Sequence, residues 1–121
     1  MLDYVRGAGR ANPEVLMKAE SLVTLGYQRL LAFQRPDGGF DWWGRDPGLT
    51  FLTAYAVQEF HDMGKVCEVD PAVIEKAKTF LFAVQEKDGS WTRPGATHGL
   101  RIQRLPPVAL TAYVTWSLLE A

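Results

Sequence analysis

The chain has 121 residues and a formal net charge of -1, with 47% hydrophobic and 22% charged residues. This length and composition are typical of one folded domain with its own core and exclude a disordered chain. The near-neutral charge argues against a nucleic-acid-binding protein, and no apolar run is long enough to predict a membrane span. The first residues lack the basic start and apolar core of a signal peptide. A single cysteine, Cys67, excludes an internal disulfide.

The first half of the sequence predicts two helices separated by a glycine-rich loop. Asn12 and Pro13 form a cap and a first helical position, and apolar residues then recur at helical spacing to Gln34. The segment 35–48 holds four glycines and two prolines, which predicts a loop. A second helix is expected over 49–63, where Gly64 would cap it.

The second half predicts two more helices and no confident strand. Asp70 and Pro71 start a third helix by the same device, with an inward stripe at Ile74, Ala77, Phe80, Leu81 and Val84. A long basic loop over 87–107 precedes a fourth helix at about 108–120, whose inward residues are Leu110, Tyr113, Val114, Ser117 and Leu118. The prediction is an all-α fold with about four main helices.

An internal repeat organises these elements. The segment 30–40 aligns without a gap with 81–91, so that Gln34, Asp37, Gly38 and Phe40 match Gln85, Asp88, Gly89 and Trp91. Behind each copy comes a Leu-Thr-Ala-Tyr segment, at 52–55 and at 110–113. Repeats of this size indicate stacked helical units. We therefore predict one partial domain over 1–121, built from two helical-hairpin repeats at about 13–63 and 71–120.

The repeated residues are interpreted as structural, with ligand binding as the alternative. A glutamine amide at a helix end is expected to donate to the last carbonyls of that helix and to accept from a neighbouring helix. The Asp-Gly pair suits a tight turn in which glycine adopts a positive φ. The aromatic residue after each turn is expected to cover the helix ends. Trp42 and Trp43 would fold back in the same way, or form a platform for stacking sugars.

The repeats also carry a resemblance to known families. Lys76, Phe80, Gln85, Gly89 and Trp91 resemble the Gln-Trp motif of terpene cyclases, whose α/α toroid is shared with prenyltransferase β subunits and complement thioester domains. A finer likeness comes from segments 12–15, 18–20, 26–31, 37–40, 52–55 and 110–114, which together resemble the alpha-2-macroglobulin family, particularly its bacterial members. The resemblance implies helical hairpins of a partial α/α toroid.

The function implied by this resemblance is protease entrapment or covalent target capture by the full-length protein. In that family a Cys-Gly-Glu-Gln segment forms an internal thioester, which amines or hydroxyls attack after proteolysis exposes it. This sequence contains no such segment, and Cys67 lies in Val-Cys-Glu-Val, downstream of the first repeat. Because the family's segment precedes the stretch that corresponds to Asn12, Cys67 is not expected to be the thioester cysteine. We expect it to be a small, largely buried thiol. The chain is expected to be the C-terminal part of the thioester domain, non-enzymatic and without a cofactor.

His98 is the one candidate for a chemical role. In complement proteins that favour hydroxyl targets, a histidine at about this place attacks the thioester first and forms a reactive acyl-imidazole. Neutral imidazole is nucleophilic near neutral pH, since its ordinary pKa is about 6.5. The resemblance thus implies that His98 assists thioester transfer in the full-length protein only; a solvated loop histidine is the alternative.

The resemblance also sets the expected partners and location. Partners would be proteases or target surfaces, together with other domains of the same chain, and the location would be extracellular or periplasmic. Hairpins without neighbours expose apolar flanks, so the isolated chain is expected to associate with itself.

Two other interpretations of the sequence have less support. A fragment of a terpene cyclase or prenyltransferase is the alternative function, but Asp37, Asp41 and Asp46 are scattered over turns and no Asp-x-Cys zinc pair is present. A zinc site would have to combine His61, Asp62, Cys67 and His98, which lack metal-site spacing.

Overall fold

A computed structural model describes residues 12–43, 48–92 and 106–121. In these ranges the chain forms four helices: α1 (Pro13–Leu31), α2 (Thr50–Met63), α3 (Pro71–Ala83) and α4 (Pro107–Glu120). Extended pairing in the same ranges consists of two isolated antiparallel bridges that join Phe40 to Gln34 and to Leu49. The predicted all-α class is confirmed, and each of the two predicted units contains two of the helices.

The predicted caps start α1 and α3. The Asn12 side-chain oxygen accepts a hydrogen bond from the Glu14 N–H at 2.9 Å, and the Asp70 carboxylate accepts from the Ala72 N–H at 2.9 Å. A proline follows each cap in the first turn. Each cap satisfies an N–H that has no acceptor inside its own helix.

Gly64 ends α2 at the predicted place, in a right-handed conformation. Its φ is -59°, an ordinary right-handed value. The Lys65 N–H donates to the Asp62 carbonyl at 3.1 Å, and the Val66 N–H donates to the Met63 carbonyl at 3.0 Å. The predicted end of α2 at Gly64 is confirmed, and a tightened last turn satisfies these carbonyls.

Helix α2 lies at the centre of the fold and packs most extensively on α3 and α4. Its buried apolar residues lie around much of its circumference and include Leu52, Ala54, Ala56, Val57 and Phe60. Burial of each large apolar side chain stabilises the fold by about 1.5–3 kcal/mol. A helix that is apolar on several faces needs neighbours on several sides, which α3 and α4 provide.

Helix α1 is attached to this core mainly through one residue. The ring of Tyr27 meets the ring of Phe60 edge-on, with centroids 5.7 Å apart, and its hydroxyl oxygen accepts from the Asp70 N–H at 3.0 Å. Tyr27 is the buried residue of this helix. The apolar stripe predicted for the helix is instead largely exposed, as Val15 and Leu22 illustrate.

The inward faces predicted for α3 and α4 are mostly buried. Ala77, Phe80 and Leu81 in α3 and Leu110, Val114 and Ser117 in α4 are all in the core. Val84 was also expected to face inward, yet it is exposed. Among the helices of the described ranges, none combines the length and the apolar character that a membrane crossing requires.

Candidate functional site

Two turns, one after α1 and one after α3, have the same backbone geometry. Gly38 has a φ of 90° and Gly89 a φ of 87°, a conformation that favours glycine. The Gly38 N–H donates to the Arg35 carbonyl at 2.9 Å, and the Gly89 N–H donates to the Glu86 carbonyl at 2.9 Å. The positive φ expected for the glycine of each Asp-Gly pair is confirmed.

The aspartate of each turn holds backbone N–H groups. The Asp37 carboxylate accepts from the Gly39 N–H at 2.9 Å and, across the loop, from the Gly48 N–H at 3.0 Å. The Asp88 carboxylate accepts from the Ser90 N–H at 3.0 Å and from its hydroxyl at 2.6 Å. The side-chain and backbone hydrogen bonds from Ser90 lower the pKa of Asp88 below its usual value. Both carboxylates act as turn acceptors.

The glutamine of each turn donates across it. The Gln34 side-chain N–H donates to the Gly38 carbonyl at 3.1 Å, and the Gln85 N–H donates to the Gly89 carbonyl at 2.8 Å. Gln34 donates a second bond to the Val73 carbonyl in the first turn of α3, at 3.0 Å. Each glutamine was expected to donate to its own helix and to accept from the next one. Instead, both donate to their own turn, and Gln34 also donates to the neighbouring helix.

The aromatic residue of each turn is tied to the second repeated motif. The Phe40 N–H donates to the hydroxyl of Thr53 at 2.9 Å, and the Trp91 N–H donates to the hydroxyl of Thr111 at 2.9 Å. Both aromatic side chains are buried, and the indole N–H of Trp91 donates to the Leu81 carbonyl at 2.8 Å. The sequence did not predict the threonine contacts, although the repetition of the Leu-Thr-Ala-Tyr segment was their signal.

The two turns differ in what packs against them. A Cβ added to Gly38 would lie 2.8 Å from the Lys76 carbonyl carbon and still closer to its oxygen, so α3 covers the first turn. At Gly89 the nearest described atom to an added Cβ is the Gln85 amide nitrogen, 3.8 Å away. In the described part of the chain, no helix therefore lies against Gly89 as α3 lies against Gly38.

The remaining candidates lie apart from the turns. His98 and Asp46 fall outside the described residues. Cys67 is half-buried rather than largely buried, and lines an open cleft with Tyr27 and Asp70. Its position beside the start of α3 is that of a packing residue.

Trp42 and Trp43 were expected to cover the helix ends, but they are 47% and 57% exposed. Trp42 lines an apolar cavity of about 220 Å³ that is bounded by Leu30, Phe33, Phe40, Leu52, Tyr55, Ala56, Glu59 and Phe60. The Tyr55 hydroxyl is hydrogen-bonded to Glu59, which raises the pKa of Tyr55 above its ordinary value of 10.0. These aromatic side chains form an apolar wall with one polar pair.

The described residues contain no cluster of three or more His, Cys, Asp or Glu that could hold a metal ion. The turn aspartates accept hydrogen bonds from backbone N–H groups, and the turn glutamines donate to backbone carbonyls. This arrangement is suited to positioning helices, because two equivalent sets of hydrogen bonds fix the turns between them.

An all-α fold with a repeated helix-turn unit is consistent with an α/α toroid, and the comparisons with known proteins name the family. The model of the A-macroglobulin TED domain, the thioester domain, matches residues 1–121. The chain therefore belongs to the A-macroglobulin thioester-domain family, whose domain is an α/α toroid.

Curated relatives agree with this assignment. Thioester-containing protein 1 of Anopheles gambiae is 32% identical in its R1 allele over 123 residues, which cover 99% of this chain and 9% of that protein. Ovostatin of Gallus gallus is 29% identical over 125 residues, which cover 100% of this chain and 8% of that protein. The chain thus spans about a tenth or less of the length of these relatives. The comparisons favour the thioester domain over a terpene cyclase or a prenyltransferase.

Proposed function

We propose that this chain is scaffold within a thioester domain and that the longer protein containing it captures proteases or target surfaces. The observation that carries the proposal is the match of the A-macroglobulin thioester domain to residues 1–121. The chain has no Cys-Gly-Glu-Gln segment. We therefore assign the bond-forming step to another part of that protein, and we assign no enzymatic activity and no cofactor to this chain.

The proposed contribution of the chain is to hold helices in register. The hydrogen bonds from each glutamine and to each aspartate of the two turns support this role, because they fix the backbone between one helix and the next. We propose that Gln34 and Gln85, with Phe40 and Trp91, define two equivalent hairpin units. The burial of both rings supports this, and so do the backbone N–H groups of Phe40 and Trp91, each of which donates to a threonine of the following helix.

The capture step follows from thioester chemistry. An amine or hydroxyl of the target attacks the thioester carbonyl carbon, a new carbon–nitrogen or carbon–oxygen bond forms, and the carbon–sulfur bond breaks. Sulfur leaves as a thiolate with the bonding electron pair, and the proton of the attacking group passes to a base. The products are a covalent conjugate and a free thiol. Such a function is consistent with an extracellular or periplasmic location, which we also propose.

Covalent capture is tested with the full-length protein and trypsin. Trypsin cleavage should produce conjugates that persist in a denaturing gel, and pretreatment with methylamine should abolish them because the amine consumes the thioester. The proposal of covalent capture would be overturned if no conjugate formed and if methylamine released no new thiol.

We further propose that His98 assists transfer of the thioester to hydroxyl targets. The support is its place in the sequence between the second turn and α4, together with the nucleophilicity of neutral imidazole. In the full-length protein, His98→Asn should reduce capture of glycerol relative to methylamine. His61→Asn is the matched control, since His61 lies near the end of α2 and should leave the preference unchanged. An unaltered preference in His98→Asn removes the proposal.

A further inference from the structure

We propose that Thr111 is a positioning residue for thioester transfer to hydroxyl targets, because its side chain joins the two ends of the chain segment that contains His98. The inference rests on the role proposed for His98 and extends it to a residue that acts through that histidine. Its evidence is a difference in how the two equivalent turns use their threonines.

The two threonines accept the same hydrogen bond but donate different ones. The hydroxyls of Thr53 and Thr111 each accept from the backbone N–H of the aromatic residue of their turn at 2.9 Å. The Thr53 hydroxyl donates to the Leu49 carbonyl at 2.6 Å, at the start of its own helix. The Thr111 hydroxyl donates instead to the Trp91 carbonyl at 3.3 Å. Because a hydroxyl has one proton, Thr111 directs to its turn the bond that Thr53 directs to its helix.

Thr111 and Trp91 are therefore joined by a reciprocal pair of hydrogen bonds. The Trp91 N–H donates to the threonine hydroxyl, and that hydroxyl donates to the Trp91 carbonyl. Trp91 is itself fixed, since its ring is buried and its indole N–H donates to the Leu81 carbonyl at 2.8 Å. On the other side of the pair, Leu110 anchors α4 in the core. The pair thus connects two packed elements.

This pair closes a longer stretch of chain than its counterpart does. Phe40 and Thr53 are 13 positions apart in the sequence. Trp91 and Thr111 are 20 positions apart, so the second stretch is longer by seven residues. His98 belongs to it, seven positions after Trp91. Holding the two ends of a chain segment together reduces the conformations open to its middle, and a nucleophile that is restricted in this way reacts faster.

The reaction of hydroxyl targets depends on that restriction, whereas the reaction of amines does not. An imidazole nitrogen of His98 attacks the thioester carbonyl carbon, a carbon–nitrogen bond forms, and sulfur leaves as a thiolate with the bonding electron pair. The hydroxyl then displaces the imidazole, forms an ester, and passes its proton to the thiolate. An amine attacks the thioester directly. Loss of the Thr111 bonds should therefore slow capture of hydroxyls selectively.

The test measures the ratio of glycerol capture to methylamine capture by the full-length protein, with both rates taken from one preparation. This ratio does not depend on the amount of folded protein, so a purely structural loss cancels. Thr111→Val should lower the ratio about fivefold, the change that loss of one neutral hydrogen bond produces in an equilibrium. Thr111→Ser, which keeps the hydroxyl, should retain the wild-type ratio. Thr111→Ala replaces Thr111→Val if that variant does not fold.

Thr53→Val is the matched control. It removes the equivalent bond from Phe40 at the first turn, and the stretch that this bond closes does not contain His98. Its ratio should equal that of the wild type even though its site is the more deeply buried of the two. Combining Thr111→Val with His98→Asn should give the ratio of His98→Asn alone, because one residue acts through the other.

The possible results separate this inference from the function on which it rests. An unchanged ratio in Thr111→Val beside a lowered ratio in His98→Asn would overturn the positioning role and leave the role of His98 intact. An equal fall in Thr53→Val, or a further fall in the double variant, would also overturn the positioning role. An unchanged ratio in His98→Asn would overturn the role of His98 and this inference with it, and a wild type that forms no conjugate would overturn the capture function as well.

Discussion

Gly38 and Gly89 offer a matched pair of substitutions that separates backbone conformation from helix packing. Both residues have a positive φ close to 90°, and both follow an aspartate in a turn with the same hydrogen bonds. They differ in their neighbours, because α3 lies against Gly38 while Gly89 has open space in the described chain. Alanine at either position meets the same conformational penalty, and only at Gly38 does it also collide with Lys76.

The expected losses of stability follow from the conformational penalty at both glycines and from the collision at Gly38. A left-handed conformation costs a non-glycine residue about 1–2 kcal/mol, and the reduced freedom of the unfolded chain offsets about 0.4–1 kcal/mol of this. Gly89→Ala should therefore lower the free energy of unfolding by about 1 kcal/mol. At Gly38 the collision adds about 1–3 kcal/mol, as overpacking of a close-packed site does. We therefore expect Gly38→Ala to lower the free energy of unfolding by about 1–3 kcal/mol more than Gly89→Ala does.

Urea unfolding, followed by far-ultraviolet circular dichroism at concentrations where the chain is monomeric, measures this difference. The denaturant slope should be the same for both variants, so that the midpoints can be compared directly. Equal losses of stability in Gly38→Ala and Gly89→Ala would refute the packing of the first turn against α3.

Two further predictions concern side chains near the turns. Thr53→Val leaves the buried N–H of Phe40 without its acceptor and should destabilise the fold by about 1–3 kcal/mol. Thr111→Val should destabilise it less, because the bond from Trp91 to Thr111 is only partly buried. Urea midpoints measure both variants, and a larger loss of stability in Thr111→Val would contradict the burial argument. The pKa of Tyr55 is raised by its hydrogen bond to Glu59, so its contribution to stability is complete below the ordinary pKa near 10 and is lost as the pH rises through the folded pKa. Ultraviolet titration of tyrosinate should show the Tyr55 transition move down in Glu59→Gln, and an unmoved transition would contradict the assignment.

The helices and the turns were predictable because local chemistry determines them. Asn12 and Asp70 cap their helices through side-chain bonds only two residues away. Gly38 and Gly89 follow an aspartate whose carboxylate folds the turn. In both cases the information lies within a few residues of sequence, which a pattern can show.

The packing could not be predicted in the same way, because it depends on residues far apart in the chain. The second bond of Gln34, to Val73 in α3, crosses from one unit to the next and has no local signature. The periodicity of α1 indicated a buried face, whereas burial also requires a neighbour, and the described chain covers only Tyr27.

The scaffold role explains why a strongly repeated motif contains so little reactive chemistry. The turn carboxylates and amides hold backbone groups. Trp91 is buried and its indole N–H donates to a carbonyl of α3, which leaves no stacking face for a ligand. Repetition here preserves the geometry by which one helical unit meets the next.

The assignment to a capturing protein is tested most directly by the residual activity of a protease mixed with the full-length protein. A trapped protease keeps its active site but loses access to large substrates, so hydrolysis of a small peptide ester should persist while hydrolysis of a protein substrate falls sharply. If excess full-length protein left the hydrolysis of both substrates as fast as with the protease alone, entrapment would be contradicted. Equal loss of both would indicate a blocked active site, which is a different mode of inhibition and would contradict it too.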